Sequence, residues 1–421
     1  MSIIELYNIF KQYPTICTDS RNIISNSLFF SLKGENFNGN KFAKKAIQKG
    51  SKYAIIDEKE YESKNCILVN DVKETLQKLA TIHREHLNIP IIGVTGTNGK
   101  TTTKELINIV LSTQYNCFCT KGNLNNQIGL PLSILSITNK HEIAVIEMGA
   151  SKIGEIKTLS EIAKPNTGII TNIGRAHLEG FGSLKGVITA KSELYKFIQN
   201  TDGLLFVNSG DELLLKESEN IKQIRFGSNK SSDYKAKQIS SRLPFVSIIR
   251  NNTTINSNLI GDFQFDNIVA ACTIGDYYNI STENKKKSIE SYTPKNNRTE
   301  IVKTTSNYII LDAYNANPSS MESMISSFSK LKKENKFCIL GEMRELGKYS
   351  KEEHQNLIEK ISELKIETVF IGEEFCKITH LNSFKNTIDF IENRRKYNLK
   401  NRTFLIKGSR GIKLESVIKY L

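Results

Sequence analysis

The stretch GVTGTNGKTT (93–102) sits between an apolar run, IPIIGV (89–94), and a helix-periodic segment, TTTKELINIVLS (101–112). A buried strand entering a glycine-rich turn and then an amphipathic helix is the context a phosphate-binding loop needs. Glycines let backbone N–H groups close around phosphate oxygens, and the helix N-terminus adds partial positive charge. Gly96, Thr97, Asn98, Gly99, Lys100, Thr101 and Thr102 form the expected cradle. Lys100 would bring a full charge to the β- and γ-phosphates, and the Thr101 hydroxyl suits Mg²⁺. The strict G-x-x-x-x-G-K-[ST] spacing is not met, because Val94 stands at the first glycine position. A loop of this kind requires a parallel sheet with helices on its faces, so the fold is expected to be α/β.

The rest of the chain repeats that pattern. SLFFSL (27–32) and KYAIID (52–57) read as strands around a helix, FAKKAIQKG, that a glycine ends. Segment 72–87 reads as an amphipathic helix with Leu76, Leu79, Ala80 and His83 on one face, broken by Asn88-Ile89-Pro90. EIAVIEM (142–148) and NTGIITNIG (166–174) are further strands. FVSIIRNNTTINSNLIG reads as strand–turn–strand, its Asn-rich turn favouring an antiparallel ribbon, and the helix FDNIVAACTIGDYY follows. YIILD (308–312), KFCIL (336–340), TVFIG (368–372) and TFLIK (403–407) are strands separated by helix-length segments. At roughly 150 residues per domain the length accommodates about three domains. The expected divisions are 1–88, 89–296 and 297–421.

Composition excludes several classes. With 39% hydrophobic and 24% charged residues the chain is globular rather than disordered. No apolar run approaches the ~20 residues that span a bilayer, and MSIIELYNIFKQYP lacks the basic start and apolar core of a secretion signal. The seven cysteines form no C-x-x-C pair, which fits a reducing cytosol and a cytoplasmic protein. The formal charge of +14 raises the question of nucleic acid. Lysine is spread along the whole chain, however, and the dense stretches 285–287 and 394–396 are short and without interleaved aromatics. No nucleic-acid partner is expected; a positive field also steers small polyanions.

Three further segments narrow the chemistry. Glu147 ends an apolar strand, at the carboxyl edge where open α/β sheets bind ligands. His177, in TNIGRAHLEGFGS, follows another strand by a few residues, and Lys191 lies in ITAKSELY. Taken singly, these read as a solvated strand end, a loop histidine and a surface lysine. Taken in order with Asn-Asn-x-Ile-Gly-x-Pro (125–131), the loop, Glu-Met-Gly, the His-Leu-Glu run and Ala-Lys-Ser-Glu, they resemble the Mur ligase superfamily. The loop variant lacking the first Walker glycine is the form that superfamily carries. Thr18-Asp19-Ser20-Arg21, LDAYNANPSSM (311–321), LGEMRELGKYSKEEH (340–354) and IKGSRGIKLESVI (406–418) are similar to the branch that adds D-alanyl-D-alanine to UDP-N-acetylmuramoyl-tripeptide.

That resemblance implies three domains: an N-terminal uridine-nucleotide domain holding Ser20 and Arg21, a central P-loop ATPase-like parallel sheet, and a C-terminal Rossmann-like domain. It implies ATP-dependent amide formation through an acyl phosphate, giving the pentapeptide precursor of peptidoglycan in cell-wall synthesis. Lys100 and the loop backbone would hold the phosphates. Thr101 and Glu147 would ligate a first Mg²⁺; His177 and Lys191 would serve a second, with Lys191 carbamylated. Asn267 matches the adenine-side asparagine, and Arg298 and Asp312 match residues that the third domain offers to phosphate and ribose as it swings onto the second. Asn123, Asn125 and Asn126 are expected along the peptide path, and Asn315 and Asn317 at the incoming dipeptide, since amides pair with both N–H and C=O. A monomer is expected.

Two stretches depart from the family pattern. Asn38-Gly39-Asn40 stands where many members have Asp-Gly-His, and Ile260-Gly261-Asp262-Phe263-Gln264 where many have Pro-Gly-x-His-Asn. The rival readings are a sibling ligase (tripeptide-forming or folate polyglutamate), a P-loop motor or nucleic-acid remodeller, and an inactive regulator. The YNANPSSM segment, the N-terminal domain and the intact Lys100, Glu147, His177 and Lys191 weigh against them in turn.

Overall fold

Most of the apolar runs assemble into three large sheets in the computed structural model, which describes residues 1–240, 242–380 and 382–421. The first sheet is parallel and runs Ile16–Cys17, Leu28–Phe30, Tyr53–Ile56, Cys66–Leu68. The second has seven parallel strands in the order Tyr234–Lys235, Gln223–Gly227, Leu204–Asn208, Thr167–Ile170, Ile91–Thr95, Ile143–Glu147, Cys117–Cys119. The third runs Glu300–Lys303, Tyr308–Asp312, Thr403–Lys407, Lys336–Gly341, Glu367–Ile371, Ser383–Phe384, with only its first strand antiparallel. The short edge strands Cys117–Cys119 and Tyr234–Lys235 are too brief to give a periodic signal, and the sequence reading passes over them.

The ribbon Phe245–Arg250/Thr253–Ile260 is antiparallel, with Lys237–Ile239 as its third strand. Its turn works because Asn251 (φ +47°) and Asn252 (φ +62°) both accept the left-handed conformation that a tight hairpin demands.

Strand order fixes where a ligand can sit. Strand Ile91–Thr95 lies inside its sheet, between Ile143–Glu147 on one side and Thr167–Ile170 on the other. The chain fills one side first and then crosses over, so a switch point opens beside this strand's carboxyl end. Register aligns Val94 with Glu147 and Thr95 with Ile170, which brings three loops to one edge. In the third sheet Asp312 pairs with Lys407 at the corresponding carboxyl edge.

Helix Lys100–Leu111 buries Leu106, Ile107, Val110 and Leu111 under the central sheet, and helix Gln264–Tyr277 packs beside it. Helix Val72–His86 buries Leu76, Leu79 and Ala80 against helices Gly129–Leu135 and Glu155–Ala163, so it joins the first sheet's helices to the second's. The buried Arg84 secures that joint: it donates to Ala163 O (2.8 Å), Lys164 O (3.0 Å) and Leu87 O (2.8 Å), satisfying carbonyls at a helix end. A separate apolar cluster spans the second and third sheets, with Leu178 and Phe181 against Met321, Met343 and Leu346. No helix among the described residues is long and apolar enough to cross a membrane.

Candidate active site

The phosphate loop is shaped by two glycines that nothing else can replace. Gly96 takes φ +144°, and a Cβ there would meet Thr171 Oγ1 at 2.0 Å. Gly99 takes φ +77° as N-cap of helix Lys100–Leu111, with Asn267 Oδ1 2.7 Å from its would-be Cβ. The loop is tied to the next strand's exit: Thr97 N donates to Asn172 O (2.9 Å), and Asn98 N to Asn172 Oδ1 (3.0 Å). Lys100 Nζ donates to Gly96 O (2.7 Å) and Thr97 O (2.9 Å), which holds its charge at the loop mouth. Burial pulls the Lys100 ammonium below its usual pKa, and the Arg298 charge pulls the same way.

Glu147 is buried at the end of its strand. Asn125 Nδ2 donates to its Oε1 (2.7 Å), and the ammonium of Lys104, itself 1% exposed, lies 3.5 Å from its Oε2. Lys104 Nζ donates its hydrogen bond elsewhere, to Thr120 O (2.7 Å). Oε2 is therefore charge-compensated yet has no hydrogen-bond partner. His177, left-handed at φ +49°, opens the short helix Leu178–Phe181, and its Nδ1 meets the carboxylate of Glu345 from the third sheet's side. Lys191 is 2% exposed on helix Leu184–Asn200, with Nζ 5.6 Å over the Phe181 ring. Burial, then the Lys100 charge, lowers its pKa to about 7.

The third sheet supplies the facing wall. Asn317 caps helix Pro318–Ser329 and donates from Nδ2 to Asn98 Oδ1 (2.8 Å), linking the two carboxyl edges. Asp312 Oδ2 pairs with the buried Lys407 (2.5 Å), which also donates to Asn315 O (3.3 Å). The Arg298 guanidinium lies 3.7 Å over the Tyr314 ring. On the central side, Asn267 has its Oδ1 held by Thr103 (2.9 Å) and its Nδ2 by Gln264 (2.7 Å).

Between these walls lies a cleft of about 750 Å³. It gathers Thr97 to Thr102, Asn123, Asn125, Asn126, Glu147, His177, Asn267, Arg298, Asp312, Asn315 and Asn317. Gly96 and Lys191 are not among its lining residues. Ser20 and Arg21 do not reach it: Arg21 pairs with Asp19 on the surface of the first sheet's region (2.8 Å), and Lys49 Nζ donates to Ser20 O (3.1 Å). The sequence reading missed Lys104, Asn172, Phe263, Gln264, Ser319 and Lys407. Two of them carried a signal. Lys104 shares an apolar helix face with Ile107 and Leu111, and Lys407 ends an apolar strand as Glu147 and Asp312 do.

The departures from the family pattern have local explanations. Asn40 is 1% exposed and exchanges hydrogen bonds with Asp57, donating to Oδ1 (2.8 Å) and accepting from its N–H (3.0 Å), so it fastens a strand end. Gln264 positions the Asn267 amide.

No three His, Cys, Asp or Glu side chains cluster to hold a metal among the described residues. The donor set that is present, Glu147 with its unpartnered Oε2 and the Thr101 hydroxyl lining one cleft, still fits Mg²⁺. That ion takes one or two protein oxygens and fills its octahedron with phosphate and water.

A glycine loop at a sheet switch point, faced by a second sheet's charged edge, defines a nucleotide-dependent enzyme that works between two lobes. Three family models match in order: "Mur ligase family, catalytic domain" over 12–92, "Mur ligase middle domain" over 94–275 and "Mur ligase, glutamate ligase domain" over 297–408. The chain belongs to the Mur ligase superfamily. It is 36% identical to the UDP-N-acetylmuramoyl-tripeptide–D-alanyl-D-alanine ligase of Bacillus subtilis, over 96% of this chain and 92% of that one. Among solved structures it resembles MurF from Acinetobacter baumannii (TM-score 0.88, 28% identity, 97% and 93% covered). It also resembles MurF ligase from Thermotoga maritima in complex with ADP (TM-score 0.85, 27% identity, 96% of each chain covered).

Proposed function

We propose that this chain joins D-alanyl-D-alanine to UDP-N-acetylmuramoyl-tripeptide at the expense of ATP, forming the UDP-linked pentapeptide from which peptidoglycan is built. The observation that carries the reading is the single cleft in which the phosphate loop and the Asn-rich 312–317 segment face one another, bonded through Asn98 and Asn317. The end-to-end match to ligases of that specificity supports it.

A carboxylate cannot expel oxide, so it must first be activated. The peptide carboxylate attacks the γ-phosphorus, the bond to ADP breaks, and an acyl phosphate forms. The free amine of the dipeptide then attacks the acyl carbon, and the tetrahedral intermediate collapses by releasing phosphate while the nitrogen loses its proton. The loop N–H groups and Lys100 hold the phosphates in line, and Lys407, braced on Asp312, keeps a second positive charge at the facing edge. Asn267 serves the adenine side, and Arg298 and Asp312 serve phosphate and ribose. Asn123, Asn125 and Asn126 lie along the peptide path, while Asn315 and Asn317 receive the dipeptide. Ser20 and Arg21 belong to the uridine-nucleotide region. The working domains are 1–88, 89–296 and 297–421.

Thr101 and Glu147 would hold one Mg²⁺, and His177 with carbamylated Lys191 would serve another. These ions would screen the repulsion between carboxylate and triphosphate. Carbamylation needs a neutral amine, and burial supplies one by lowering the Lys191 pKa to about 7. A monomer in a cytoplasmic setting completes the reading, and seven cysteines without a C-x-x-C pair suit that compartment. The test is phosphate release with ATP and Mg²⁺, adding UDP-N-acetylmuramoyl-tripeptide and D-alanyl-D-alanine singly and together. Turnover should require both; release indifferent to the dipeptide would sink the assignment.

A further inference from the structure

Helix Gln264–Tyr277 begins directly behind the phosphate loop, where the Asn267 amide stands against Gly99. Phe263, Gln264, Asp266 and Asn267 all line the cleft. Spacings of three place Phe263 beside Asp266 and Gln264 beside Asn267, so the four form one face of the helix's first turn. Two groups on that face are left over by the protein's own bonding. Gln264 is 2% exposed; its Oε1 accepts from Asn267 Nδ2 (2.7 Å), and among the described residues nothing accepts from its Nε2. A polar group so deeply buried and still unpaired calls for a partner that the cleft must supply. The second group is the Asp266 carboxylate. Asn208, at the end of strand Leu204–Asn208, donates to it, and no lysine, arginine or histidine pairs with it among the described residues. Burial pushes the Asp266 carboxyl up to about 6 against that hydrogen bond, and the Asp211 charge pushes the same way, so a further donor would stabilise its ionised form.

We propose that Gln264 and Asp266 read the base of the nucleotide and select a 6-aminopurine over a 6-oxopurine. The inference rests on the reading that Asn267 marks the adenine side of an ATP site. Adenine presents a ring-nitrogen acceptor beside its N6 amino donors, whereas guanine carries an oxygen acceptor in place of that amino group. Gln264 Nε2 supplies a hydrogen to the ring nitrogen, and the Asp266 carboxylate, an acceptor only, takes one from N6. Against O6 of an oxopurine the same carboxylate would meet a lone pair with no proton between them. A site built around a hydrogen bond rejects an analogue that cannot make it. Phe263, half-buried in the lining, offers its ring to the apolar face of the base. The residues that depart from the family's Pro-Gly-x-His-Asn pattern thereby contribute to a base reader of this chain's own.

Titration calorimetry on the full-length enzyme, with Mg²⁺ and neither peptide substrate, compares ADP with inosine diphosphate, whose base carries O6 where adenine has N6. Wild type should bind ADP about 10–100-fold more tightly. Asp266→Asn, whose amide can turn its N–H₂ toward O6, should bring the two affinities together, and Asp266→Ala should narrow the gap through weaker ADP binding. The ratio cancels any general loosening of the cleft, so a merely structural effect leaves it unmoved. A wild-type ratio in both variants would overturn the proposal. Asn267→Ala reports on the reading beneath it: undiminished ADP affinity there would take the adenine side away from this helix, and the base reader with it. Weakened ADP binding in Asn267→Ala, with unmoved ratios in the Asp266 variants, would defeat the base reader alone.

Discussion

Lys104 and Lys191 are both buried lysines near the loop, yet their surroundings give them opposite uses. Lys104 has a carboxylate 3.5 Å away and a carbonyl to donate to, so its charge is compensated and it can balance Glu147 without using up Oε2. Lys191 is buried and faces the like charge of Lys100, and these two effects favour its neutral form over the cation that the Phe181 ring face would hold. The neutral amine fraction rises as pH climbs through about 7 and levels off above it. Enzyme depleted of CO₂ should therefore lose turnover and regain it on adding bicarbonate, with a recovery rate that grows with pH across that window. Lys191→Ala should be inactive in either buffer. Full activity of Lys191→Ala without bicarbonate would remove the carbamate role.

At the scale of elements, the loop is set by a pair of positive-φ glycines and by helix Gln264–Tyr277 pressing Asn267 against the second of them. Gly99→Ala meets two penalties: a left-handed backbone costing an L-residue roughly 1–2 kcal/mol, and a methyl against an amide that Thr103 and Gln264 hold still. Urea unfolding should register about 2 kcal/mol of destabilisation, and calorimetry should find ADP binding weakened at least tenfold. Retained ADP affinity would mean that the loop tolerates displacement of Asn267. The element-level pattern was legible because strand and helix runs here are long and apolar. The ribbon turn was legible because Asn-Asn at 251–252 is tight-turn chemistry in its own right.

At the scale of the molecule, the third lobe is held on the second by a compact set of contacts around Arg175. Its N–H donates to Ser319 Oγ (2.9 Å), and its guanidinium spans Glu322 (2.6 Å) and the buried Glu353 (3.1 Å). Gly174 matters for the same reason, since a Cβ there would lie 2.6 Å from Ser319 Oγ. Arg175→Gln should leave ADP affinity near wild type, because the loop is intact, while raising KM for D-alanyl-D-alanine several-fold and enlarging the radius of gyration in solution scattering. An unchanged KM would show that the apolar cluster alone keeps the lobes together.

Local patterning along the chain determined the α/β class, the loop and the strand-end position of Glu147, because phosphate cradles and strand ends are written in consecutive residues, whereas His177, Lys191, Asn267 and Arg298 became candidates only through the resemblance to Mur ligases. Tertiary structure decided what partners those residues take. Nothing in the local sequence joins Lys104 to Glu147, Glu345 to His177 or Asn317 to Asn98, since each pair is separated by tens to hundreds of residues. Asn125 likewise turned out to brace Glu147, and Asn40 to fasten Asp57. Which atom of a buried polar group stays free for a ligand depends on every neighbour that packing brings, and that is a property of the assembled lobes.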